Sequence, residues 1–126
     1  MKKILLAEDN TVFAGLIVTS MMEEGYSIVW VDNGSKAWDL LTQGQEFDLV
    51  MSDHEMPEMS GAELLRRARM DDCIAKMPFI LMSGGLVVSK DDQTPLEVIC
   101  RRFKATFVEK PFFGFEELVA EIFSAI

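Results

Sequence analysis

Five short apolar runs, separated by segments with helical periodicity, constrain the fold of this chain more than any other feature. The runs are 4–7, 27–31, 48–52, 79–82 and 106–108. Elsewhere apolar residues recur every three to four positions, which is typical of helices; the predicted helices are 11–24, 36–42, 62–68, 95–104 and 115–123. Strands and helices that alternate in this way predict an α/β fold, with a parallel sheet covered by helices on both faces.

The connections between the strands narrow the topology further. Crossovers between parallel strands are right-handed, and a chain of 126 residues can bury a core without disulfides or structural metals. We therefore predict a single domain, residues 1–126, with a doubly wound, flavodoxin-like sheet of five strands in the order 2-1-3-4-5 and five helices. In such a sheet the carboxyl ends of the strands share one edge, where ligands bind.

Composition excludes several functional classes. The net charge of −9 argues against nucleic-acid binding by this domain, because phosphate backbones are contacted by Lys and Arg. No apolar stretch approaches the ~20 residues of a membrane span, and Glu8 interrupts the first apolar run too early for a signal peptide. We expect a cytoplasmic protein with no membrane partner. Cys73 and Cys100 lack metal-binding spacing, which predicts reduced, packed thiols.

Polar side chains follow four of the five predicted strands. They comprise four carboxylates, a hydroxyl and an ammonium group: Glu8, Asp9, Asp53, Glu55, Ser83 and Lys110. Four carboxylates at one edge would repel one another unless a cation joined them, and hard oxygen ligands predict Mg²⁺. A hydroxyl and an ammonium beside that cation would complete a phosphoryl-binding site. The alternative is four solvated loop acids, and the expected convergence with Ser83 and Lys110 argues against it.

The residues at these strand ends resemble those of two-component response-regulator receiver domains, as found in chemotaxis regulators and hybrid sensor kinases. The resemblance covers essentially the whole chain, and its specificity comes from the order of four segments: LLAEDN (5–10), DLVMSDHEMPEMSG (48–61), LMSGG (81–85) and FVEKPF (107–112). It implies a phosphorelay protein that accepts a phosphoryl group from a sensor histidine kinase or a phosphotransfer protein and then binds a downstream protein target.

The resemblance also implies how the acidic residues are used. Asp53 corresponds to the phosphoacceptor. Asp9 corresponds to the main acidic Mg²⁺ ligand, and Glu8 to a partner that acts through water. Asp53 itself and the backbone carbonyl of Glu55 would complete the protein ligands of the metal.

A second group of residues is implied to sense the phosphoryl group. The Ser83 hydroxyl would bond a phosphoryl oxygen, and the Lys110 ammonium would pair with the group. Ser83 and Phe107 are the expected switch residues, although Phe107 also suits a simple packed aromatic. The switch would alter the face formed by helix 4, strand 5 and helix 5, which could also support a homodimer.

Some residues depart from the family pattern. Glu55 places a carboxylate near the incoming phosphoryl group, which suggests slower phosphorylation or a longer-lived phosphoryl-aspartate; the alternative is a side chain that points to solvent. The loop 84–92 is longer than usual, and its apolar segment 86–88 either contacts a partner or packs on the sheet edge. We interpret His54 as a bystander on a loop and Trp30 as a packed aromatic residue. We expect Gly61 to supply a backbone conformation that a larger residue would resist.

Several functions remain open at this level. The leading interpretation is a phosphorylation switch, and not a turnover enzyme. An aspartyl phosphatase would usually carry a second Asp where Glu55 stands. A degenerate receiver that acts only as a binding module is a further alternative, and a receiver domain excised from a hybrid kinase would have the same sequence features.

Overall fold

The computed structural model describes residues 2–84 and 94–110, together with residues 120 and 124. The described part contains nine elements, and their bounds are β1 (Lys3–Ala7), α1 (Thr11–Glu23), β2 (Ser27–Val31), α2 (Gly34–Thr42), β3 (Leu49–Asp53), α3 (Gly61–Met70), β4 (Phe79–Ser83), α4 (Leu96–Arg102) and β5 (Thr106–Glu109). Apart from residue 120, the predicted closing helix 115–123 lies outside the described residues, as does most of the loop 84–92, including its apolar segment 86–88.

The five strands form one parallel sheet in the order β2-β1-β3-β4-β5, which confirms the predicted topology. Leu6 pairs with both Trp30 and Met51, and Met82 pairs with Asp53 and Val108. This register brings the carboxyl ends of β1, β3, β4 and β5 to the same edge of the sheet. The candidate polar residues follow those ends or, in the case of Asp53 and Ser83, are the last residues of β3 and β4.

The core lies on both faces of the sheet because successive strand residues point to opposite sides. Leu5, Val50 and Leu81 face the cluster that includes residues of α2, α3 and α4. Ile4 and Met51 face the other cluster, which includes α1. Every residue of β3 and β4 is buried, as expected for central strands covered by helices on both sides.

Short polar side chains set where the first three helices begin. Asn10, Asn33 and Ser60 occupy the N-cap positions of α1, α2 and α3, and each accepts a backbone N–H three residues later. The cap at Asn33 starts α2 at Gly34, two residues earlier than predicted. α1 therefore begins immediately after the acidic pair that follows β1.

Arg69 connects α3 to the far end of α4. Its guanidinium donates hydrogen bonds to the backbone carbonyls of Met77 at 2.7 Å, Phe103 at 2.6 Å and Lys104 at 3.2 Å. Lys104 adopts a left-handed backbone, with φ 57°, which few residues other than glycine adopt readily. Arg69 therefore satisfies the carbonyls of a strained corner that leads into β5.

The surface differs from the sequence expectations at two places. Leu16 belongs to the apolar pattern of α1, yet the structure leaves it half exposed, next to the exposed Val12 on the outer side of this helix. Cys100 is buried as predicted, but Cys73 is exposed, so its assignment as a packed thiol is wrong. Among the residues that the structure describes, no helix combines the length and apolar character needed to cross a bilayer.

Candidate functional site

Three of the four predicted carboxylates converge at the carboxyl edge of the sheet. One oxygen from each of Glu8, Asp9 and Asp53 lies within 4.8 Å of the other two. Asp53 is the last residue of the buried strand β3, and the Glu8 N–H bonds the Val31 carbonyl at 3.0 Å, which extends the pairing of β1 with β2. Glu8 and Asp53 are buried, whereas Asp9 is exposed at the mouth of the site.

Lys110 enters this cluster from the end of β5. Its Nζ lies 2.7 Å from Oε1 of Glu8 and 3.3 Å from Oδ1 of Asp53. The Lys110 N–H donates to the Ser83 carbonyl at 2.8 Å, which ties the ends of β4 and β5 together. The structure therefore places the ammonium of the predicted lysine in contact with the carboxylate of the predicted phosphoacceptor.

The electrostatics of the site favour an additional positive charge. Burial raises the pKa of Asp53 to about 7, the carboxylates of Glu8 and Asp9 act in the same direction, and Lys110 partly opposes them. Burial disfavours the Lys110 ammonium, but its bonds to Glu8 and Asp53 outweigh this and raise the pKa of Lys110. The Lys110 ammonium contacts two of the three clustered carboxylates, those of Glu8 and Asp53, so a further cation would find uncompensated negative charge at the site.

The donor set fits a hard divalent cation. Three carboxylates surround one point, and carboxylate oxygens are ligands that Mg²⁺ prefers. The site opens into a cavity of about 460 Å³ lined by Glu8, Asp9, Asn10, Asp53, Glu55, Gly84 and Lys110. That cavity leaves room for water and phosphoryl oxygens, which Mg²⁺ retains in its coordination sphere.

Ser83 and Glu55 meet at the side of this cavity. The Ser83 hydroxyl donates to Oε1 of Glu55 at 3.3 Å. Ser83 is only 3% exposed, whereas Glu55 is exposed. The solvent-facing interpretation of Glu55 therefore holds only in part, since its side chain is exposed but also contacts a predicted switch residue. Its effect on the rate of phosphorylation or the lifetime of the phosphoryl-aspartate stays a prediction.

His54 has a structural role that the sequence interpretation missed. It is buried, with 2% exposure. Its N–H donates to the Met82 carbonyl at 2.7 Å, its carbonyl accepts from the Gly61 N–H at 3.0 Å, and its Nδ1 accepts from the Ala62 N–H at 3.3 Å. The bystander interpretation is wrong, because His54 connects β3 to β4 and to the first turn of α3.

Gly61 is required for a reason other than the predicted one. A Cβ at this position would lie 2.3 Å from the Asp53 carbonyl oxygen and 2.6 Å from Cδ1 of Leu81. The left-handed glycines among the described residues are Gly25 and Gly44. Close approach of α3 to the end of β3, and not backbone conformation, therefore excludes a side chain at Gly61.

Two aromatic residues beside the site also went unrecognised in the sequence. The Trp30 indole N–H donates to the Glu8 carbonyl at 2.8 Å, and the side chain is 41% exposed, so the assignment of Trp30 to packing is wrong. The ring centroid of Phe13 lies 4.3 Å from Nζ of Lys110, a cation–π geometry. A partly buried tryptophan N–H usually finds a hydrogen-bond partner, but nothing in the local sequence identifies the Glu8 carbonyl as that partner.

Phe107 is half-buried and packs against the apolar cluster that contains Leu81 and Ile99. This position suits the packed-aromatic interpretation. Its role as a switch residue stays a prediction.

Comparison with known proteins gives a consistent assignment. The family model for the response regulator receiver domain matches residues 4–123. The response regulator receiver protein CpdR of Brucella abortus is 36% identical over 122 residues, which cover 97% of this chain and 94% of CpdR.

Solved structures agree with the sequence relatives. The response regulator TrrA of Thermotoga maritima, solved in complex with Mg²⁺-BeF, superposes with a TM-score of 0.80 at 28% identity and covers 100% of both chains. The signal receiver domain of a histidine kinase from Syntrophus aciditrophicus gives a TM-score of 0.82 at 28% identity, covering 99% of this chain and 89% of that one.

Members of this family are in general phosphorylated on an aspartate and bind Mg²⁺ at an acidic site. The strand order, the acidic cluster and the family match all lead to the same assignment. The chain belongs to the receiver-domain family of two-component response regulators.

Proposed function

We propose that this chain accepts a phosphoryl group on the Asp53 carboxylate from a phosphohistidine of a sensor kinase or phosphotransfer protein, in a Mg²⁺-dependent reaction. One observation carries the proposal. Asp53 shares a cluster with Glu8 and Asp9, whose oxygens lie within 4.8 Å of one another, and Lys110 lies 3.3 Å from its Oδ1. A buried nucleophilic carboxylate, a cation site and a fixed ammonium are what phosphoryl transfer to an aspartate requires.

Different residues of the chain have different roles in this reaction. A carboxylate oxygen of Asp53 forms the new O–P bond while the P–N bond of the donor histidine breaks and the imidazole leaves. Asp9, Asp53 and the carbonyl of Glu55 would hold Mg²⁺, with Glu8 acting through water. When bound, Mg²⁺ supplies positive charge that offsets the charge on the phosphoryl oxygens.

Lys110 supplies the second positive charge. Its ammonium sits between Glu8 and Asp53 in the unphosphorylated protein. A phosphoryl group on Asp53 would offer it stronger acceptor oxygens, so Lys110 would move from the carboxylates to the phosphoryl group. The Ser83 hydroxyl would donate to another phosphoryl oxygen.

The output of this reaction is a change in binding, and not a released product. Phosphorylation would shift a pre-existing equilibrium through Ser83 and Phe107 toward the face that includes α4 and β5. A downstream protein, or a second copy of the chain, would bind that face. We assign this switch to the cytoplasm, where sensor kinases present their phosphohistidine.

A second arrangement has specific support. Similarity to the receiver domain of the Syntrophus aciditrophicus histidine kinase favours a receiver that works within a hybrid kinase. A degenerate receiver that only binds partners is disfavoured, because Asp9, Asp53, Ser83 and Lys110 are all present.

Beryllofluoride, a stable mimic of the phosphoryl group, tests the proposal. Titration with Mg²⁺ present, followed by NMR, should shift amides around Asp53, Ser83 and Lys110. The Asp53→Asn variant should show no such shifts. Binding that survives Asp53→Asn, or that needs no Mg²⁺, would contradict the proposal.

A further inference from the structure

The contact between Ser83 and Glu55 bears on how readily the site accepts a phosphoryl group. Oγ of Ser83 donates to Oε1 of Glu55 at 3.3 Å. Ser83 ends β4 and lies beside β3, because Asp53 pairs with Met82. Glu55 follows Asp53 by two residues and lines the same cavity. The hydroxyl and the carboxylate therefore meet at the edge of the space that a phosphoryl group on Asp53 would occupy.

A serine hydroxyl carries a single proton and can donate it to one strong acceptor at a time. In the structure that acceptor is a carboxylate, and hydrogen bonds to charged acceptors are stronger than those between neutral groups. A phosphoryl oxygen would need the same proton. Occupation of the site would therefore require the Ser83 hydroxyl to turn from Glu55 to the phosphoryl group.

Burial strengthens this argument. Ser83 is 3% exposed, so water has little access to its hydroxyl. The position of the Ser83 backbone is fixed as well, because its carbonyl accepts the Lys110 N–H at 2.8 Å. The hydroxyl can therefore change partner by rotation about its side-chain bonds, without movement of the strand end.

The Glu55 side chain also stands apart from the metal-binding carboxylates. The group whose oxygens lie within 4.8 Å of one another consists of Glu8, Asp9 and Asp53. Glu55 instead directs Oε1 to Ser83. Its carboxylate is therefore placed to act on the hydroxyl, in addition to any repulsion that it exerts on an incoming anion.

We propose that Glu55 is a positioning residue that holds the Ser83 hydroxyl in the unphosphorylated protein and competes with the phosphoryl group for its hydrogen bond. This inference rests on the proposed function and adds a regulatory element to the same site. No proton is transferred; one hydrogen bond replaces another. The contact makes the unphosphorylated state more stable, and so lowers the affinity of the site for a phosphoryl mimic.

The experiment is a beryllofluoride titration at saturating Mg²⁺ by calorimetry, using wild type, Glu55→Gln and Glu55→Ala. Ala removes both the charge and the acceptor, whereas Gln removes the charge and keeps an acceptor oxygen. We expect Glu55→Ala to bind about tenfold more tightly than wild type, which corresponds to about 1.4 kcal/mol. Glu55→Gln should lie between them. Equal affinities of Gln and Ala would show that charge alone acts, and would overturn the inference.

A double-mutant cycle with Ser83→Ala provides an independent measurement. If Glu55 acts through the hydroxyl, Glu55→Ala should change the affinity less than about threefold once Ser83 is replaced. The same tightening in both backgrounds would refute the competition.

The titration separates this inference from the function on which it rests. If wild type binds beryllofluoride but the order of affinities is absent, only the role of Glu55 fails. If neither wild type nor Glu55→Ala binds, the proposed phosphoacceptor function fails and this inference with it. Binding by Glu55→Ala alone would support both.

Discussion

Replacement of Asp53 by asparagine should stabilise the metal-free protein at neutral and alkaline pH. Asp53 is 5% exposed, and burial together with Glu8 and Asp9 raises its pKa from 3.8 to about 7. An acid whose pKa rises on folding binds its proton more tightly in the native state. Its effect on the free energy of unfolding therefore becomes less favourable as the pH increases from 3.8 to about 7.

The size of the effect follows from the same values. Each pH unit between the two pKa values corresponds to about 1.4 kcal/mol, so the ionised carboxylate costs at most about 4 kcal/mol above pH 7. Lys110 loses a partner in Asp53→Asn, which reduces the absolute gain. The change with pH is less affected, and the advantage of the variant should grow by about 2 to 3 kcal/mol between about pH 5 and about pH 8.

Urea unfolding of both proteins in the presence of a chelator measures this difference. Asp32→Asn is a suitable control, because Asp32 is exposed and its hydrogen bond with Lys36 lowers its pKa. That replacement should give no stabilisation at alkaline pH. An advantage of Asp53→Asn that stays constant between about pH 5 and about pH 8 would refute the electrostatic account of the site.

Two further substitutions test how the scaffold supports the site. Gly61→Ala should lower the free energy of unfolding by about 1 to 3 kcal/mol, since the new Cβ would meet the Asp53 carbonyl. The control Gly15→Ala has open space around the new Cβ and should be stabilising. Equal unfolding midpoints of the two variants would contradict the close approach at Gly61. Arg69→Met should lower the free energy of unfolding by about 1 to 3 kcal/mol because it leaves three carbonyls unpaired. The control Arg67→Met, at an exposed ion pair, should lower the free energy of unfolding by less than about 1 kcal/mol. A loss as large as that of Arg69→Met would argue against the stabilising role of the three hydrogen bonds from Arg69.

The strand order and the convergence of the acids could be predicted because both depend on repeated local patterns. Apolar runs of the right length specify central strands, and a parallel sheet then gathers the residues that follow them at one edge. Their place at the end of a predicted strand was enough to predict that four residues come together: Glu8, Asp9, Asp53 and Lys110. Their proximity in the structure reflects topology, which periodicity reveals.

The supporting residues could not be predicted, because their roles depend on contacts between distant segments. Trp30 lies on an edge strand, and its partner is a backbone carbonyl after β1. His54 looks like a loop residue until the position of α3 shows that its ring accepts the Ala62 N–H. Local sequence describes neither the distance nor the direction of such contacts.

The contact of Glu55 shows the same limit at the site itself. Its position two residues after Asp53 placed a carboxylate near the cavity, but the sequence left open whether the side chain lies near the phosphoryl group or points to solvent. The side-chain distance of 3.3 Å identifies the partner. The position of the Glu55 backbone was therefore predictable, whereas the hydrogen-bond donor that its carboxylate contacts could be identified only from the packed structure.

The most direct test of the central claim is the intact mass of the purified chain after incubation with acetyl phosphate and Mg²⁺. The account predicts the addition of one phosphoryl group, mapped to the peptide that contains Asp53, and its absence when a chelator replaces Mg²⁺ or when Lys110 is changed to alanine. An unchanged mass of the unmodified sequence after incubation with acetyl phosphate and Mg²⁺, or a phosphoryl group on a residue other than Asp53, would contradict the claim that this carboxylate is the acceptor.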